Sequence, residues 1–337
     1  MVWSTKLSGY PPGNRQVKGG DSGLPRDGQM PTPVPDIQSS GELSGLVCGD
    51  AVAILRQLPA KPLFDVIIAD PPYNIGKDFG TVSDRLAEAE YLRWSRCWLR
   101  LAMRRLKPDG LLYLYGYPEI LARLASRLPL GQQRWLVWHY TNKAVPKSGF
   151  WQRSHETILC LWRQPGRPPL LEIDQIREPY NPAYLKCAGR TRRNTPSRFG
   201  ADGRETIYHA HAGGALPRDV LKVPALAGGA GASERWFLCR DCDDKVFPPV
   251  MLKAHNGHEI IKHPTQKPAA LTRRLLRSRI SEDACRQSRV LIPFAGSGAE
   301  CVVASQLGVD FLGIEINPLY AHFARQWLEQ NAWNRAD

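Results

Sequence analysis

No stretch of the chain approaches the roughly 20 consecutive apolar residues of a membrane-spanning helix, so none is expected. The first residues lack a basic segment followed by an apolar one, so export is not expected and the cytoplasm is the expected compartment. Cysteine is sparse, 8 in 337 residues, too few for a disulfide framework. Without export, those thiols are expected to be reduced or, at most, gathered in a metal site. Acidic residues are the minority charge, 32 Asp and Glu against 45 Lys and Arg, for a net charge of +13. The excess is uneven, with residues 140–262 alone contributing +7. That balance fits a polyanionic partner, meaning nucleic acid, or a solvated basic surface, and charge alone does not choose between them. There is no internal repeat.

What is present is an alternation. Residues 1–45 hold 6 Pro and 8 Gly without an apolar period, which reads as a disordered or loosely attached arm. From Leu46 to about residue 163, short apolar strands (46–48, 65–69, 111–115, 135–140, 156–162) alternate with helical patterns (50–58, 84–106, 119–128). Lys107-Pro108-Asp109-Gly110 reads as a turn after the long helix. From about 164 to 261 the period fails, and Pro, Gly and Arg become dense, as in a loop-rich basic insert. Over 262–337 order resumes, with helices at 268–280, 298–307 and 318–330 and strands at 290–292 and 311–314. This pattern predicts an α/β fold whose mostly parallel sheet has helices on both faces.

Two turns carry chemistry. Strand 290–292 runs through Pro293-Phe294-Ala295-Gly296-Ser297-Gly298 into a helix, and the glycines let a ligand approach free amides at the helix start. The next strand ends in Glu315, where such folds grip ribose hydroxyls. A lone Gly-x-Gly is equally a plain tight turn, and the two features together point to a nucleoside-like ligand. A dinucleotide site would want a third glycine at Cys301, which disfavours a nicotinamide dehydrogenase. The second turn, Asp70-Pro71-Pro72-Tyr73, follows the strand Val66–Ala69. Its prolines fix φ and remove two donors. Asp70 and the Pro71 carbonyl can each accept a hydrogen from a planar ligand's amino group, with the Tyr73 ring as a stacking face. The alternative is a rigid corner with a stray acid.

These residues resemble the amino-methylating DNA methyltransferases, which modify the exocyclic amine of adenine or cytosine. Asp70-Pro-Pro-Tyr73 is similar to their catalytic motif. Phe294–Gly298 with Gly313-Ile-Glu315-Ile-Asn317-Pro318 resembles their S-adenosylmethionine (SAM) site, and His263-Pro-Thr265-Gln-Lys267-Pro268 resembles the block before it. The order, catalytic motif first and cofactor motif last, is that of the β-class. The resemblance implies a Rossmann-like SAM-dependent methyltransferase fold, with a catalytic half at 46–163, a target-recognition insert at 164–261 and a SAM-binding half at 262–337. It further implies SAM over Phe294, Ala295, Gly296, Ser297 and Gly298, with Glu315 on its ribose, Asn317 alongside, Asp50 on its adenine amine, and Thr265 and Lys267 near its methionine carboxylate. Ile292 stands where the family usually has an acid, and Ala299 and Glu300 stand where it commonly has two threonines. The cofactor pocket therefore lacks one counter-charge to the methionine ammonium unless another carboxylate substitutes.

The resemblance implies direct methyl transfer to an amine held by Asp70, Pro71, Pro72 and Tyr73, on a base flipped from duplex DNA. Carbon-5 cytosine chemistry wants a cysteine after proline, and none of the eight has one. Aspartate in the tetrapeptide goes with adenine in this family. Cytosine N4, an RNA substrate, and a DNA-binding regulator on a degenerate methylase fold are the alternatives. Arg190, Arg192, Arg193 and Arg198 in the insert are candidate DNA contacts or a flexible basic loop. Cys239, Cys242, His255 and His258 read C-x2-C-x12-H-x2-H, a candidate structural zinc site with a closing pair one residue tighter than usual. A homodimer and a companion restriction endonuclease are partners the resemblance leaves open.

Overall fold

The protein is described by a computed structural model that covers residues 45–80, 84–142, 149–193, 205–207, 209–226 and 235–333. The expected N-terminal arm lies outside the described residues, except Gly45, which opens the first strand. The first part of the chain runs β1 (Gly45–Cys48), α1 (Ala51–Gln57), β2 (Phe64–Ala69), α2 (Glu88–Arg105), β3 (Leu106–Gly116), α3 (Pro118–Ala125), β4 (Gln133–His139) and β5 (His155–Leu161). Next come α4 (Pro182–Leu185), β6 (Thr191–Arg193), β7 (Glu205–Ile207), β8 (Val220–Lys222), β9 (Phe237–Cys239), β10 (Lys245–Phe247) and β11 (Ile260–Ile261). The last part is α5 (Ala269–Arg277), β12 (Arg289–Ile292), α6 (Ala299–Gln306), β13 (Asp310–Glu315) and α7 (Pro318–Trp333).

Eight strands form the main sheet in the order β1-β13-β12-β2-β3-β5-β4-β8. All neighbouring pairs are parallel except those of β5, the one strand that runs against the others. The two last strands in sequence thus lie between β1 and β2. From β2 the chain winds one way to β3; from β12 it winds the other way to β13. Ligands of open α/β sheets bind at such a switch point, outside the carboxyl ends of the strands.

Period-2 alternation divides the strand residues between two cores. Val66, Ile68, Tyr113, Val290 and Ile292 pack with Leu271 and Leu275 of α5 and Val303 of α6. Phe64, Ile67, Leu112, Leu291 and Leu312 pack on the other face with Leu55, Trp98 and Leu121 of α1, α2 and α3. Helices therefore cover both faces, as the apolar strand runs predict.

The turn expected at 107–110 is instead absorbed into β3. Phe64 pairs with Leu106 and Val66 with Leu111, so two steps on β2 face five on β3 in a wide irregularity. Lys107 is held there by Asp65 at 2.8 Å. The stretch read as an insert returns to the main sheet through β8, which pairs with β4, a strand too short to leave a readable period. Its later part forms a second sheet, β10-β9-β11. Among the described residues no helix is long and apolar enough to cross a membrane.

Trp98 is fully buried and meets the Phe294 ring edge-on at 5.0 Å. Trp98→Ala is expected to lower the unfolding free energy by about 3–5 kcal/mol, read as an earlier midpoint in urea unfolding followed by circular dichroism.

Candidate active site

β2 and β12 pair directly, Val66 with Val290 and Ile67 with Leu291. The Asp70–Tyr73 turn leaves one strand and the Pro293–Gly298 turn leaves the other, so both line one crevice of about 310 Å³.

The first turn is fixed from behind. The Tyr91 hydroxyl of α2 donates to the Pro72 carbonyl at 2.8 Å. Buried Asp84 accepts from the amides of Asn74, Ile75 and Lys77 at 2.6, 3.1 and 3.0 Å. Asn74 adopts a left-handed φ of 59°, tolerable for Asn, and exchanges two hydrogen bonds with the Leu86 backbone. Among the described residues nothing donates to the Pro71 carbonyl.

Asp70 belongs to a buried charge cluster. Lys267 Nζ lies 2.8 Å from Asp70 Oδ2 and 3.6 Å from Glu156 Oε2. The Tyr73 hydroxyl sits 2.8 Å from Asp70 Oδ1 and 2.9 Å from Glu156 Oε2, its single proton serving one at a time. The Tyr140 hydroxyl donates to Glu156 Oε1 at 2.7 Å. Rings of Tyr73, Tyr115 and Trp138 surround the ammonium at 5.1–5.8 Å. Burial alone would lower the Lys267 pKa; Asp70 and Glu156 outweigh it and hold the ammonium above its ordinary value. Burial pushes the Asp70 carboxyl up, Lys267 opposes that rise, and Glu156 adds to it. Burial would also raise Glu156, but Lys267 and the two tyrosine hydroxyls hold it below the usual carboxylate range. Two acids share one cation, so their titrations are coupled. Each Asp70 oxygen keeps a second lone pair for a further donor.

The glycine-rich side is equally defined. Gly296 and Gly298 have φ of 53° and 87°. A Cβ on Gly296 would lie 2.7 Å from His263 Nε2, and one on Gly298 would lie 2.6 Å from Ala324 Cβ of α7. Only glycine fits either place. Glu315 accepts from the Gly296 amide at 2.7 Å and the Asn317 amide at 2.8 Å, which fixes both oxygens at the crevice wall. Burial raises its pKa while those amides oppose the rise. Glu300, in the first turn of α6, also lines the crevice and is 5% exposed. Burial, reinforced by Asp70, lifts its carboxyl to about 7. Burial, with Lys267 and Arg235, lowers the His263 imidazole to about 3, so it is neutral.

Asp50, Asp70, Pro71, Pro72, Tyr73, Thr265, Lys267, Phe294, Ala295, Gly296, Ser297, Glu315 and Asn317 all line this crevice. Several also serve the scaffold. Asp50 caps α1 by accepting from the Ala53 amide. Asn317 accepts from the Leu319 amide and donates to the Phe79 carbonyl at 2.7 Å. The Lys267 ammonium, besides lining the crevice, lies against Asp70 and Glu156. Gly298 lies behind, against α7. Arg190 is exposed, whereas the Arg192 and Arg193 side chains and all of Arg198 lie outside the described residues. The candidate zinc ligands come together beside the second sheet, with Cys239 at the end of β9 and the other three in the connections. Glu156 and Tyr140 belong to no motif in the sequence, and Glu300 stands out there only as a departure from the family pattern. The signal for Glu156 was an acid opening an otherwise apolar strand.

The sequence profile of a family described as DNA methylase, the N6/N4 methyltransferases, matches residues 64–326. The chain belongs to that family. It is 28% identical over 288 residues to the type II methyltransferase M.HpaI of Haemophilus parainfluenzae, covering 84% of this chain and 74% of that one. It is 27% identical over 281 residues to the DNA adenine methyltransferase YhdJ of Escherichia coli (strain K12), covering 83% and 80%. In fold it resembles the PvuII DNA methyltransferase (cytosine-N4-specific), with a TM-score of 0.54 at 15% identity over 86% of this chain and 91% of that one. An N6/N4 methylase is a SAM-dependent DNA methyltransferase, and the crevice fits that cofactor. Left-handed glycines open the backbone, Glu315 is a fixed carboxylate at a strand end, and Asp50 and Glu300 are further acids on the wall.

Lys267→Met would strand two buried carboxylates. It is expected to cost about 3–5 kcal/mol of stability near neutral pH. The deficit should shrink at pH 5, because unpaired buried carboxylates protonate there and stability then falls as pH rises through their raised pKa values. Thermal melts of both proteins at pH 5 and pH 8 check this.

Proposed function

We propose that this N6/N4 methylase is site-specific for adenine N6 in duplex DNA, the target base being turned out of the helix into the crevice. The observation that carries the reading is the acceptor pair at one corner, a fixed Asp70 carboxylate and a Pro71 carbonyl without a donor among the described residues. Together they match the two N–H bonds of an exocyclic amine. An aromatic amine is a weak nucleophile, and two acceptors orient its lone pair toward the cofactor side. The nitrogen gains positive charge as it is alkylated, and a carboxylate beside it stabilises that charge. Lys267 holds Asp70 in place, and the Tyr73 ring offers a face for the base. Flipping costs a few kcal/mol, repaid by stacking and these hydrogen bonds. Aspartate in the tetrapeptide, and the relative named as a DNA adenine methyltransferase, both support adenine over cytosine. The type II relative supports a place in a restriction–modification pair, with a solitary methylase as the alternative. Arg190 and its neighbours in the basic insert are the proposed contacts to phosphates and base edges.

SAM, when bound, supplies an electrophilic methyl group on a sulfonium. Glu315 would hold its ribose hydroxyls, Asp50 its adenine amine, and the Gly296–Gly298 turn would admit it close to the backbone. Thr265 would contribute a hydroxyl at its amino-acid end. Glu300 would replace the acid that Ile292 lacks, as counter-charge to the ammonium.

Digesting methylated duplex DNA to nucleosides and weighing them should yield N6-methyladenine; N4-methylcytosine would overturn the adenine assignment. Asp70→Ala should lower the methylation rate by at least about 10²-fold while DNA retention in gel-shift assays stays close to wild type. For Glu300 the sign is set by its raised pKa. Below about 7 the carboxyl is protonated, and above it an anion faces the ammonium. SAM should therefore bind roughly three- to tenfold more tightly at pH 8 than at pH 6 in calorimetric titration, and Glu300→Gln should flatten that dependence.

A further inference from the structure

The insert holds a second constellation that methyl transfer does not use. Cys239 Sγ lies 3.4 Å from His258 Nδ1, and Cys242 Sγ lies 3.5 Å from His255 Nδ1 and 3.3 Å from His258 Nδ1. All four ligand atoms fall within 4.8 Å of one another. For Zn–S near 2.3 Å and Zn–N near 2.0–2.1 Å, a tetrahedral centre puts sulfur and nitrogen about 3.6 Å apart, close to the three separations observed. Thiol hydrogen bonds are weak and pair atoms one at a time, whereas Cys242 Sγ faces two imidazole nitrogens and His258 Nδ1 faces two sulfurs, the convergence that one shared central ion produces. We propose that Cys239, Cys242, His255 and His258 bind one Zn²⁺, which ties β9 and the turn after it to the 3-10 segment and turn that lead into β11. Two thiolates and two imidazoles in tetrahedral array suit zinc among divalent cations.

The local chain is shaped for this. Cys239 ends β9, and the turn to β10 passes through Asp243 and Asp244, both left-handed at φ 50° and 54°. The Lys245 amide closes that turn on the Cys242 carbonyl at 3.0 Å. His255 ends a 3-10 segment, Gly257 follows at φ 85°, and the His258 amide donates to the His255 carbonyl at 3.1 Å. The tight H-x2-H spacing therefore sits on a turn, where three residues suffice, rather than on a helix. The His255 ring stacks on buried Phe247 with centroids 3.9 Å apart. A sheet of strands with three, three and two residues has little core of its own, and small modules of this kind need a staple.

The staple reaches the crevice. β11 ends two residues before His263. The Arg235 guanidinium donates to the His263 carbonyl at 2.9 Å, and Trp236 and Gln266 exchange two hydrogen bonds at 2.9 and 2.8 Å, one residue from Lys267. Leu238 and Val246 pack with Val302 of α6 and Phe323 of α7. Metal loss should thus loosen the segment that carries His263 and Lys267. That effect on SAM affinity rests on the functional reading above; the metal content does not.

Elemental analysis of the full chain, purified without added metal, should find close to one zinc per chain. The Cys239→Ser/Cys242→Ser double variant and the separate His258→Ala variant should each lose most of it. Stripped wild-type protein refilled with Co²⁺ should show the visible absorption of tetrahedral cobalt with thiolate charge transfer. Zinc-free wild type that gives no such spectrum would overturn the site, as would variants that retain full zinc or iron in place of zinc. If the variants fail to fold, the cobalt spectrum of the stripped wild type decides the matter. Stripping should also weaken SAM binding severalfold. Unchanged affinity with the zinc count upheld would reject only the coupling to the crevice.

Discussion

The pairing of β2 with β12 is the constraint on which the active site depends. Asp70 and Phe294 lie more than two hundred residues apart in sequence, yet they leave adjacent strands whose register is set by Val66 with Val290 and Ile67 with Leu291. A slip by one residue would exchange the two faces of β12, turning Val290 and Ile292 away from α5 and Leu291 toward it. It would also carry the Gly296 bend about 3.4 Å along the strand. The apolar alternation that sorts side chains between the two cores therefore also sets the distance between the acceptor corner and the glycine bend. Packing and chemistry are specified by the same contacts.

The buried charges follow a similar economy. One lysine inside an aromatic cage is costly on desolvation grounds and is tolerated because two carboxylates face it and two tyrosine hydroxyls complete their hydrogen bonds. The cluster keeps one net negative charge, adjacent to the neutral imidazole of His263 and the titratable Glu300. The cation beside Asp70 also explains why the tetrapeptide does not act alone. His263 through Pro268 are distant in sequence, yet they supply both the imidazole behind Gly296 and the ammonium on Asp70.

Much of this was legible in the residues. Short apolar runs, punctuated by amphipathic stretches, mark the sheet and its two helical layers, and outside the insert the observed elements other than β3 begin and end within a few residues of those patterns. Asp70, Tyr73, Gly296 and Glu315 were legible because their turns combine φ-restricted or φ-permissive residues with chemistry at strand ends. Glu156 was not, because nothing in His155-Glu156-Thr157 tells which strand pairs with β3 or in which direction. The role of Lys267 was not legible either, since a lysine after a glutamine carries no sign of being 4% exposed. At 107–110 the proline and glycine pointed correctly to irregular backbone, but tertiary pairing with β2 kept that irregularity inside a strand. The four candidate zinc ligands stand out by spacing alone, and the turn at Gly257 accounts for the one residue by which their spacing departs from helical finger patterns.

The lone reversed strand has an effect beyond sheet statistics. In a fully parallel array every strand brings its last residues to the ligand edge and buries its first ones at the far rim. Because β5 enters from the opposite direction, its opening residues arrive where its neighbours finish, and Glu156 is thereby delivered beside Asp70 without any loop to carry it. An acid at the start of a strand has become a wall of the reaction chamber through polarity of chain direction alone.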